Sequence, residues 1–199
     1  MESKLSQHIP AHAIKYCMKL WEDYPFLFKI TAKRSTKLGD YRYFPKEKSH
    51  IITVNNDLNP YSFLITYIHE VAHRVTFEES GRKVKPHGKE WKLTFKKLML
   101  PVLNDEVFPQ DILRPLAKYI KNPPATTHAS AELLQALRKY NSTNNHAITL
   151  AELNPGQHFK FKKRTFEKLL TKRTRVVCRE VISNRNYLIS GVAEVELEF

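Results

Sequence analysis

The segment "FLITYIHEVAHRVTFEESGRKVKPHGKEW", residues 63–91, holds three of the chain's nine histidines. His69 and His73 bracket Glu70 in the pattern H-E-x-x-H. On a helix, positions four apart share a face. Both imidazoles can therefore reach one zinc ion at about 2.0–2.1 Å. Glu70 projects beside them and can take a proton from the metal's water, whose pKa zinc lowers toward about 7. Metal-assisted hydrolysis needs these residue types at this spacing. A buried helix with two structural histidines is the bland alternative. It leaves Glu70 as a carboxylate in an apolar interior without a partner, which is costly.

A third ligand has to come from elsewhere. The helix motif that adds a glycine and then a histidine at three-residue intervals is excluded, because Thr76 and Glu79 stand at those positions. His87 is the preferred candidate. It follows Pro86 and precedes Gly88, at a helix start where the backbone can turn it inward. Glu90, three residues on, is the alternative ligand, or a partner of a zinc-bound histidine. Three histidines and one water form an open, catalytic zinc arrangement.

The elements that must position these groups are legible from local signals. Asn59 suits an N-cap and Pro60 a first helical position. Phe63, Leu64, Tyr67, Ile68, Val71, Ala72 and Val75 recur at helical spacing, which predicts a helix from about Pro60 to Phe77. A second helix is expected from Pro86 to a stop at Pro101. Upstream, Ser6–Asp23 reads as an amphipathic helix, Phe26–Ser35 as a strand, and Gly39–Phe44 with His50–Val54 as a hairpin. Further helices are expected near Gln110–Ile120 and Ser130–Tyr140. The Pro/Thr segment between them and the polar stretch "YNSTNNH" read as linkers.

Beyond His146 the chain changes character. "VVCREVI", "NYLIS" and "AEVELEF" read as short strands of a small, basic, β-barrel-like domain. Its segment "KFKKRTFEKLLTKRTR" carries eight basic residues and one acid, Glu167. Lys160, Lys162, Lys163, Arg164, Lys172, Arg173 and Arg175 are the candidate nucleic-acid contacts, since Lys and Arg neutralise phosphates. Phe159, Phe161 and Phe166 interleave with them, either as stacking rings or, the preferred reading, as core. The fold class is thus α+β. A helical domain with a small antiparallel sheet spans 1–122, a linker with a helix 123–145, and the β-rich domain 146–199.

Composition narrows the function classes. The formal net charge is +13, from 33 basic and 20 acidic residues, which favours a polyanionic partner. Only two cysteines are present, so neither a disulfide framework nor a cysteine zinc site organises the fold. No apolar run approaches the roughly 20 residues needed to span a bilayer, and the N-terminus has no signal-peptide core. A cytoplasmic protein with no membrane partner is expected, and its oligomeric state is open. The remaining histidines, His8, His12, His50, His128, His146 and His158, read as surface or structural.

With these residues in view, the chain resembles the SprT-like zinc metallopeptidases, the Spartan-related family. The matching pieces are "RSTKLGDYRYF", "ITVNNDLNPYSFLITYIHEVAH" and "PHGKEW". The resemblance implies Zn²⁺ on His69, His73 and His87, Glu70 as general base, a minimal zincin-like fold, and proteolysis of proteins bound or crosslinked to DNA, single-stranded or structured. Many members continue into a cysteine-rich zinc ribbon. Only Cys178 follows the metal motif, so this chain is expected to be a bacterial-type member without one. The rival reading is a non-catalytic nucleic-acid-binding protein with a zinc-stabilised core.

Overall fold

The computed structural model describes residues 1–34, 36–81, 84–123, 130–141 and 148–198. Positions 124–129 and 142–147 of the expected linkers, with His128 and His146, lie outside the described residues. The chain divides into two units, Met1–Ser142 and Thr143–Phe199, each with its own apolar core.

The first unit opens with a short helix α1 (Glu2–Leu5) and a 3-10 turn (Ala11–Ala13) that leads into α2 (Ile14–Asp23). The continuous helix expected from Ser6 does not form. Pro10 holds φ −56 and ψ 139, an extended backbone that no helix interior accommodates. Three strands follow, β1 (Leu27–Thr31), β2 (Gly39–Phe44) and β3 (Ser49–Asn55), in the order β1-β3-β2. β2 and β3 form the expected antiparallel hairpin, but β1 runs parallel to β3. The sheet is therefore mixed, which corrects the small antiparallel sheet expected above. Burial explains the order. Ile52 and Val54 of β3 are fully buried, so β3 takes the centre, and the more exposed β1 and β2 take its two sides.

Asn59 caps the next helix, α3 (Pro60–Ser80). Its Oδ1 accepts from the Ser62 backbone N–H at 2.9 Å. The helix runs three residues past the expected end at Phe77. Its residues from Phe63 to Thr76 are almost all buried, so it lies inside the unit, against β2 and β3 and against α4 (Lys89–Met99). A second 3-10 turn (Leu100–Val102) containing Pro101 ends α4, and α5 (Gln110–Lys121) then leads to α6 (Ala131–Arg138). Leu133, Ala136 and Leu137 of α6 join the main core. The buried Asn59 amide donates to the Leu137 carbonyl at 2.8 Å and to Asn141 Oδ1 at 2.8 Å, which ties the start of α3 to the end of α6.

The second unit is a six-stranded antiparallel sheet: β4 (Ile148–Thr149), β5 (His158–Phe161), β6 (Arg164–Lys172), β7 (Arg175–Glu180), β8 (Asn186–Ser190) and β9 (Glu194–Leu197). The order is β4-β9-β5-β6-β7-β8. It is open, not the barrel-like closure expected from sequence. Among the described residues no ladder joins its edge strands β4 and β8, and β4 pairs with β9 alone. Phe159, Phe166, Val176, Cys178, Ile189 and Val195 form its core. Among the described residues no helix is long and apolar enough to cross a membrane.

Candidate metal centre

His69 and His73 lie one turn apart on α3, whose apolar flanks fix it in the core. His87 comes from outside any helix. It sits in the turn before α4 with φ 58, a left-handed conformation in which histidine is enriched. Gly88 follows as N-cap of α4, and a Cβ there would lie 2.8 Å from the Lys85 carbonyl oxygen. The Pro86–His87–Gly88 turn thus needs its glycine to fold tightly enough to aim the ring. Nε2 of His87 lies 3.1 Å from Nε2 of His69 and 3.0 Å from Nε2 of His73. Glu90 is exposed on α4 and stays out of this cluster.

The donor set fits a metal ion. Tetrahedral coordination at about 2.0–2.1 Å places ligand nitrogens about 3.3–3.4 Å apart, within a few tenths of what is seen. All three imidazoles are held neutral, the form that ligates. Burial, followed by the charges of His73 and His87, pushes His69 down to about 2. Burial and His87 push His73 down to about 4, and burial lowers His87. Three neutral rings whose nitrogens converge can hold a metal ion. Trp91, on the buried face of α4, closes one side. Its ring centroid is 4.6, 5.3 and 4.7 Å from those of His69, His73 and His87, and it stacks on Phe95.

Glu70 points to the other side, under β2. It is 7 % exposed, and burial, reinforced by Asp40, pushes its carboxyl up to about 8. Arg34, Lys37 and a hydrogen bond from the Tyr41 backbone amide oppose that shift. Gly39 makes this seat possible. A Cβ on Gly39 would meet Glu70 Oε1 at 2.6 Å, Thr66 Cγ2 at 2.7 Å and Glu70 Cγ at 2.8 Å. The strand therefore approaches α3 as closely as it does because residue 39 has no side chain.

A cleft of about 550 Å³ exposes Glu70 and the three histidines between the β2 rim and the turn before α4. The rim is held by Asn55, 1 % exposed. Its Oδ1 accepts from Arg34 Nε at 2.7 Å, and its Nδ2 donates to the Lys37 carbonyl at 2.9 Å. Asp40 and Tyr41 of the rim line the cleft. Tyr41 lies parallel to His73 at 6.4 Å, and its hydroxyl shares a 2.9 Å hydrogen bond with His50 Nδ1. Arg42 pairs with Asp40, away from the ligands. Sequence reasoning missed Gly39, Asn55 and Trp91 as parts of the site. For Trp91 a signal existed, since it stands four residues after His87 at helical spacing. For Gly39 and Asn55 the reason for their type lies in residues far along the chain.

The tail's basic residues are dispersed. Lys162 and Lys163 form the β5–β6 turn, both with positive φ, whereas Lys172, Arg173 and Arg175 surround the β6–β7 turn. These turns lie at opposite ends of nine-residue β6, about 26 Å apart at 3.3 Å per residue. Lys160 pairs with Glu198, and Arg164 with Glu180. Lys168, also in this run, is buried with its ammonium on backbone carbonyls. Phe159 and Phe166 are core, and Phe161 is partly covered beside them.

The model of the SprT-like family matches residues 12–112. That span contains the whole cluster, from the β2 rim to Trp91. No curated protein and no solved structure matches the chain.

Proposed function

The chain belongs to the SprT-like family, and from that premise we propose that it is a zinc-dependent metallopeptidase acting in the cytoplasm on proteins associated with or crosslinked to DNA. The observation that carries the reading is the convergence of three neutral imidazoles beside a buried carboxyl in an open cleft. His69, His73 and His87 would hold the zinc. Zinc bound there would supply Lewis acidity, polarising a peptide carbonyl and making water a nucleophile at neutral pH. Glu70 does the proton work. Burial favours its neutral form, and a cation held by the three histidines would favour the ionised one. The carboxylate then takes a proton from the attacking water and returns it to the departing amine nitrogen. Gly39 and Thr66 fix the carboxyl on one side, and Trp91 fixes the imidazoles on the other. The open cleft admits an extended chain, and the positive charge of the protein suits a substrate that sits on a polyanion.

The test is Glu70→Gln in the full chain, with metal content and cleavage of a DNA-bound protein measured together. The variant is expected to keep stoichiometric zinc and lose cleavage by a factor of about 10² or more. Cleavage at the wild-type rate by a zinc-loaded Glu70→Gln protein, or wild-type protein that binds no zinc, overturns the reading.

A further inference from the structure

Several lysines of this protein are paired with an acid, and Lys168 sits on backbone carbonyls. Lys19, Lys33, Lys37, Lys118, Lys139 and Lys160 all pair with Asp or Glu. The outward face of α4 is different. From Lys85 to Leu100 the chain has five lysines and one acid, Glu90. Lys92 donates to Asn122 Oδ1 at 2.8 Å. Lys85, Lys89, Lys96 and Lys97 are exposed and have no ionic partner among the described residues. Between them stand Leu93, 60 % exposed, and Leu100, 56 % exposed, two of the most exposed large apolar side chains in this unit.

The arrangement has a direction. Positions 89, 93, 96, 97 and 100 fall on one helical stripe, opposite the buried Trp91, Phe95, Leu98 and Met99. From Lys89 to Lys97 the stripe runs about 12 Å at 1.5 Å per residue. That covers about three nucleotide steps of one strand at 3.4 Å each. Lys85 lines the cleft itself, so the charge continues from the cleft mouth onto the helix. α4 is also rigidly coupled to the metal centre, because its other face carries the Trp91 ring packed on all three imidazoles.

We propose that this face of α4, Lys89, Lys96 and Lys97 with Leu93 and Leu100 between them, is a docking surface for the phosphate backbone of nucleic acid. Unpaired like charges at this spacing destabilise the free protein by mutual repulsion, and a phosphate backbone relieves that repulsion. The contact reads no sequence, since lysine meets phosphate as a point charge. It places the backbone on the helix next to the cleft and so presents protein seated on nucleic acid to the three histidines. That purpose rests on the peptidase reading, whereas the surface itself rests on charge and geometry.

The test is the full-length triple variant Lys89→Gln/Lys96→Gln/Lys97→Gln, with a Lys→Arg triple at the same positions as control. Binding to a short fluorescent duplex is titrated across salt concentrations. It is measured in both the wild-type and Glu70→Gln backgrounds, so failure of the peptidase reading leaves the result intact. The Gln triple is expected to bind about tenfold or more weakly at physiological salt. Its salt slope should be shallower by about 2.7, three contacts at about 0.9 each. The Arg triple should bind as wild type, and neither triple should lose melting temperature. Wild-type affinity and slope in the Gln triple overturn the proposal. So does equal weakening by the Arg triple. Lysine-dependent binding to anionic vesicles with none to the duplex also overturns it.

Discussion

Gly39→Ala tests the seat of Glu70 without touching a ligand. The added methyl would lie 2.6 Å from Glu70 Oε1, 2.7 Å from Thr66 Cγ2 and 2.8 Å from Glu70 Cγ. An ordinary contact needs about 3.4 Å or more between such atoms, so the carboxyl must retreat by about 0.8 Å. Both neighbours are buried on a core helix, and Thr66 is β-branched and stiff at χ1, so relief is incomplete. Overpacking of this kind costs about 1–3 kcal/mol of stability. A displacement approaching 1 Å in a catalytic group costs up to about 10²-fold in rate. The expected result is therefore kcat/KM for peptide cleavage down by about 10- to 100-fold, about 1.4–2.7 kcal/mol in the barrier. Zinc stoichiometry should stay unchanged, because His69, His73 and His87 are untouched. Adding Thr66→Ser removes the 2.7 Å contact but not the 2.6 Å one. The double variant should regain stability in urea titrations but not activity. Gly39→Ala with wild-type activity and stability would refute the close approach. Lost stability with full activity would refute the placement of Glu70 as the working base.

Two further outcomes concern the second unit. Lys168→Met removes the ammonium that donates to the carbonyls of Leu150, Ala151 and Leu153. It should destabilise that unit by about 2–4 kcal/mol, seen as faster amide exchange over 148–198 with unchanged exchange in α3. Hydrogen bonds from Arg164 and then Ser183 pull the Glu180 carboxyl down to about 2 from an ordinary 4.5. A group lowered in the folded state adds stability above its unfolded pKa and loses it as pH falls from about 4.5 toward 2. Acid titration of the second unit should therefore show a stability loss over that window that Glu180→Gln flattens. An unchanged acid limb in the variant would show the carboxyl is not the source.

What sequence determined here is what neighbours in the chain can express. Helical periodicity, the Asn59–Pro60 start and the H-E-x-x-H spacing place His69, Glu70 and His73 on one buried helix, because four residues are one turn whatever surrounds them. The proline before His87 and the glycine after it point to a turn that can aim a ring. The β2–β3 hairpin is local as well, and it forms where alternation and turn residues place it.

What only the tertiary structure decided depends on contacts between distant residues. The central place of β3, between β1 and β2, follows from which strand has most apolar area to bury, a comparison between segments that local pattern does not make. The basic run from Lys160 to Arg175 is continuous in sequence, yet a nine-residue strand separates its two ends, and Lys168 turns inward to donate to three carbonyls. Among the described residues the six strands of that unit leave an open sheet, with β4 and β8 as its two unjoined edges. Gly39 is the sharpest case. In sequence it is a glycine at the start of a strand, with no mark of chemistry. Its meaning lies 31 residues away in the carboxyl of Glu70, whose place under β2 is open only because Gly39 has no side chain.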